Sequence, residues 1–75
     1  MINFLIADSL AFRIKDLRYC SDYVQEALDI HESIKAALND GTIGLKTGWG
    51  LMSALRAEAE AVREFREERE NVLQI

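Results

Sequence analysis

Asn39-Asp40-Gly41-Thr42-Ile43-Gly44-Leu45-Lys46-Thr47-Gly48-Trp49-Gly50 is the stretch that decides how this chain folds, because it holds all four glycines of a 75-residue sequence without proline. Glycine opens the left-handed backbone region and weakens helix, so the breakers of the chain are gathered in one place. The flanks read as helix: nine alanines and nine leucines stand against three valines. Residues 9–39 are predicted as one long helix, with Asp8 or Ser9 as N-cap and Gly41 in the left-handed position just past its end. Residues 40–47 form the loop, and residues 48–73 a second helix capped by Thr47. Residues 2–6 either extend the first helix or form an apolar arm. The expected fold is all-α, an antiparallel two-helix hairpin in a single domain over residues 1–75.

In the first helix Leu10, Leu17, Val24, His31 and Leu38 recur every seven residues, flanked by Ile14, Cys20, Ala27, Leu28 and Ile34. Phe12, Tyr19, Tyr23, Ile30 and Ala37 widen that seam to about 220° of the circumference at 100° per residue. The second helix has a narrower stripe of Leu51, Leu55, Val62, Phe65, Val72 and Leu73. One partner helix cannot cover so wide a band, and a lone hairpin of this length buries too little to offset its ordering entropy. A homodimer follows as the expectation: two hairpins pair into a four-helix or interlocked bundle. Its core is expected to hold Leu10, Ile14, Leu17, Tyr23, Val24, Leu28, His31, Leu55, Val62 and Phe65.

The formal charge of −4 has the wrong sign for a protein that neutralises phosphates, which argues against nucleic-acid binding. No stretch approaches the roughly 20 apolar residues of a membrane span. The first eight residues lack a basic region before their apolar run, so a cytoplasmic location in a bacterial cell is expected. One Cys and one His cannot make a disulfide or a structural zinc site, and no cofactor or metal is expected. Gly44 to Gly50 places Lys46-Thr47 before the second glycine and follows no strand, so it is not a phosphate-binding loop.

No catalytic residue emerges either. His31 stands in a line of Leu and Val and reads as a register-fixing polar residue, expected to meet Glu58 across the hairpin. Cys20 lies on the seam, where a thiol packs as a small hydrophobe. Arg56, Arg63, Arg66 and Arg69 alternate with six glutamates, and i,i+4 pairs Arg56–Glu60, Arg63–Glu67 and Arg66–Glu70 are expected. Arg69 falls in the apolar stripe, within reach of Asp16 or a second subunit. Trp49 either caps the hairpin core, its flanking glycines bending the backbone, or anchors a partner protein. An acidic ridge with Asp22, Asp29 and Glu32 on the polar side of the first helix is the other candidate for partner binding.

Two resemblances accompany this reading. The hairpin layout resembles the plasmid copy-control protein that dimerises as two hairpins and binds paired RNA loops; that family's binding face is basic, whereas the ridge here is acidic. Tyr19-Cys20-Ser21-Asp22-Tyr23 and Lys46-Thr47-Gly48-Trp49-Gly50, in a short all-helical chain, resemble the small accessory proteins of the early (exo-xis) region of lambdoid bacteriophages. That resemblance implies a non-enzymatic modulator of host or phage functions. The expected function is thus that of a regulatory or accessory protein, a homodimeric platform for an unidentified protein partner. Its alternative is a nucleic-acid binder using Arg56, Arg63 and Arg66.

Overall fold

The computed structural model describes residues 4–73, with side chains described for 5–69, and among them are helices and no strand. Helix α1 spans Phe4–Lys15, a 3-10 turn spans Asp16–Tyr19, α2 spans Tyr23–Asn39 and α3 spans Leu45–Leu73. The all-α expectation is met, but the single helix over 9–39 and the two-element hairpin are corrected to three helices. Asp8 and Ser9 lie inside α1 rather than capping it, and α3 begins two residues before Thr47.

Local chemistry and packing both favour the break. After Lys15 the chain tightens into the 3-10 turn, and Cys20 leaves it with extended backbone (φ −80°, ψ 134°), its N–H donating to the Leu17 carbonyl at 3.1 Å. Asp22 then restarts the helix: its Oδ1 accepts the Gln25 N–H at 3.1 Å, satisfying a donor that the first turn otherwise leaves open. Folding α1 back also lets one chain shield the band that a continuous helix would expose. Asp22→Ala is expected to cost about 0.5–2 kcal/mol in thermal unfolding and Asp22→Ser much less. Equal losses for the two would mean that packing alone holds the turn.

The break also moves the seam. Residues 20–22 are not helical, so counting by sevens from Leu17 to Val24 loses phase. The α2 residues that face the core are Ile30, Ile34 and Ala37, with Tyr23 and Ala27 half-buried beside them. Val24 and Leu28 lie about 100° round the helix and are exposed at 53% and 56%. Leu10, Ile14, Leu17, Leu55 and Val62 are buried where the pattern placed them, whereas Phe65 is exposed. Leu17, Ile30, Ile34 and Ile43 are the most completely enclosed, and no polar side chain is buried among the described residues.

Ile43 reaches that core from the connection. Asp40 ends α2, Gly41 takes φ +78° as its position demands, and the Ile43 N–H returns to the Ala37 carbonyl at 3.3 Å. The Asp40 carboxylate accepts the Thr42 hydroxyl and its N–H, the latter at 2.8 Å. These two bonds, the hydroxyl's first, hold its carboxyl below the ordinary 3.8. The Gly48 N–H to Gly44 carbonyl bond, 2.9 Å, closes the first turn of α3.

The Leu38 side chain lies over Gly48 at one end, and Arg66 bonds the Cys20 and Ser21 carbonyls at the other, so α2 and α3 run antiparallel. Arg13 ties α1 to α2 through Glu26 at 3.3 Å. The 29 residues of α3 extend about 43 Å against about 26 Å for the 17 of α2. The result is a rod of 54 × 18 × 16 Å with a radius of gyration of 14.2 Å, where a compact chain of this length would have about 11 Å.

Candidate functional site

The turn between α1 and α2 lies against the C-terminal half of α3 and forms an open groove of about 530 Å³ with it. Arg18 crosses this groove to Glu58, its Nη2 and Nε donating to Oε1 at 2.9 and 3.2 Å. Arg66 comes from the other side: its guanidinium donates to the Ser21 carbonyl at 3.2 Å and to the Cys20 carbonyl, and lies 4.8 Å from the Tyr23 ring centre. The broken helix leaves those carbonyls without helical partners, and Arg66 satisfies them. Arg69 sits 5.7 Å from the ring of Phe65. Tyr19, 80% exposed, and Phe65, 59% exposed, give the groove an aromatic lining.

Several expected contacts are absent. Glu58 faces the 3-10 turn and pairs with Arg18, while His31 lies on the far flank of α2, its side chain 3.9 Å from Glu32. The expected His31–Glu58 contact is not formed, because Arg18 of the 3-10 turn holds the Glu58 carboxylate. Arg69 lies over Phe65 rather than reaching Asp16. Arg56 and Arg63 form no ion pair with Glu60 or Glu67, the described pairs being Arg13–Glu26, Arg18–Glu58 and Lys35–Glu32 together with the His31 contact. The Arg66–Glu70 pair, and Val72 and Leu73 of the apolar stripe, fall outside the described side chains. Cys20 is in the link, half-buried, its thiol toward the Asp16 carbonyl at 3.6 Å.

Of the partner-binding candidates, Trp49 is 69% exposed on α3 and does not cap the core. Asp22 is engaged as a helix cap, and Asp29 accepts a hydrogen bond from Gln25 Nε2 at 3.0 Å. No protein-family model matches the chain, and no curated protein or solved structure matches it. Function therefore has to be read from the surfaces themselves. Among the described residues no three His, Cys, Asp or Glu cluster as metal ligands, and no helix is long and apolar enough to cross a membrane.

What the surface does present is apolar side chains on two sides of the rod. Leu5, Phe12 and Tyr19 follow one another at intervals of seven along α1 and the 3-10 turn, exposed at 81%, 67% and 80%. The other side is the outer face of α2 and α3, with Val24, Leu28 and Trp49 exposed and Met52 half-buried. The groove residues Arg18, Tyr19 and Arg66 were not singled out as a set by the sequence, because only the break at 16–22 brings them to α3.

Proposed function

We propose that this chain is a small non-enzymatic accessory or regulatory protein, working in the bacterial cytoplasm as a homodimeric helical platform for another protein. The observation that carries this reading is the line of exposed apolar side chains Leu5, Phe12 and Tyr19, at 81%, 67% and 80%, along one side of a chain whose total accessible surface, polar and apolar together, is 5746 Å². The line of Leu5, Phe12 and Tyr19 is the face assigned to the second copy. Breaking the first helix shields much of the band that suggested dimerisation from sequence, so self-association now rests on these outward residues. Such a role is the one implied by the resemblance to small accessory proteins of the lambdoid early region.

Sedimentation tests the dimer. A species of about 17 kDa, twice the 8.5 kDa chain, is expected at micromolar concentration. Phe12→Asp with Tyr19→Asp should return it to monomer with its helical circular dichroism intact. A wild-type chain that stays at 8.5 kDa into the high micromolar range would overturn the homodimer.

A further inference from the structure

We infer that two copies of this chain pair through α1 in antiparallel orientation, with Asp8 of each copy held by Lys15 of the other. The inference rests on the homodimer reading and names the orientation and the contacts of the second copy. Every group it needs lies on the side of α1 turned away from the core. Leu10 and Ile14 are buried in the core cluster, and Phe12 lies about 160° round the helix from each of them, 67% exposed. Asp8 and Lys15 bracket Phe12, four residues before it and three after, and stand about 40° and 60° from it on the same flank. Both are exposed, and neither enters an ion pair among the described residues. The helix itself supplies no partner, since neither has an opposite charge three or four residues away in either direction. With Ala11 and Phe12 they line an open hollow of about 330 Å³.

A carboxylate and an ammonium group set about evenly on either side of one ring, on one flank, complement a reversed copy of themselves. A twofold axis crossing α1 at Ala11 and Phe12 brings up that copy and keeps the flank on the same side. Residues whose numbers sum to about 23 then stand level. Asp8 meets Lys15 of the second copy, Lys15 meets Asp8 of the second copy, and each Phe12 ring enters the hollow beside Ala11 of the other. A parallel pair would instead set Asp8 level with Asp8 and Lys15 with Lys15. The other charges nearby do not oppose the antiparallel pair: Asp16 falls on the opposite flank of Phe12, and Arg13 and Arg18 are engaged by Glu26 and Glu58. The symmetry forms each ion pair twice, so the charge pattern of α1 is met in full by its own sequence.

Sedimentation at low salt, where exposed charges are least screened, reads the pairing. Asp8→Lys and Lys15→Asp each turn two attractions into two repulsions, and each should raise the dimer dissociation constant at least about fivefold. The two substitutions in one chain exchange the partners and should return it to within about twofold of wild type. Lys15 ends α1, so its reversal also opposes the helix dipole, and the orientation is therefore read a second way. Asp8→Cys and Lys15→Cys are prepared as separate chains, each with Cys20→Ser. A short bismaleimide should join the two when they are mixed and hardly join either to itself, because like positions stand about 10 Å apart along the axis. Cross-linking of each chain to itself, or wild-type affinity in both single reversals, would overturn the antiparallel pairing and leave the homodimer standing. A wild-type chain that sediments at 8.5 kDa throughout would overturn both.

Discussion

Ile34→Ala should unfold a large fraction of the protein's stability in a single step. Ile34 is 0% exposed, and α1 and α3 close over α2 around it. Truncation removes buried methyl groups and leaves a cavity that helices held on both sides cannot collapse, at a cost of about 2–5 kcal/mol. A chain of 75 residues has in all about 4–11 kcal/mol to lose. The melting temperature should therefore fall by at least about 10 °C at fixed protein concentration. Ile34→Val, which keeps most of the volume, should cost only about 0.5–1.5 kcal/mol. Near-equality of the two variants would mean that the core at this level is not closed as described.

The second large effect is at a glycine. Gly48 is buried beneath Leu38, and a Cβ built on it would stand 2.7 Å from Leu38 Cγ and 2.8 Å from Cδ1. Gly48→Ala would ordinarily gain about 1 kcal/mol in a helix interior. Here the methyl group meets the Leu38 side chain, which must leave its place between α2 and α3, and the overpacking term of about 1–3 kcal/mol outweighs the gain. Gly50 supplies the contrast: it lies in the same helix with nothing within 4 Å of its built Cβ, so Gly50→Ala should stabilise by up to about 1 kcal/mol. Leu38→Ala should rescue Gly48→Ala, with a coupling of at least about 1 kcal/mol in a double-mutant cycle. Gly48→Ala behaving like Gly50→Ala would contradict the packing of Leu38 on this site.

The glycine-rich stretch was legible because a left-handed residue and a helix end have local causes. Gly41 takes the conformation its position requires, and α2 ends where Asn39-Asp40-Gly41 says it should. The break at 16–22 was less so. Ser21-Asp22 followed by Gln25 is a start signal, but in a run of helix-favouring residues its strength depends on whether α1 gains by folding back, which is a property of the core. A count of sevens carried across the break runs out of phase in α2. It places Val24 and His31 at the centre of the seam, whereas Ile30 and Ala37, at the edge of the expected band, take the buried positions. The groove went unseen for the same reason, since Arg18 and Tyr19 meet α3 only once the chain has turned.

The amino-acid sequence by itself determined that the described residues form helices and no strand, where α2 ends, and that the chain's apolar surface exceeds what one neighbouring helix can cover. Those properties follow from propensity, backbone sterics and the count of apolar residues on a cylinder, each set within a few residues. The tertiary structure alone decided that the surplus is met first by doubling the chain back as a third helix. It also decided which side chains are left outside and which arginines go unpaired. Burial depends on how three helices share one core, and a rotation of one residue, about 100°, is enough to exchange a core position for a surface one.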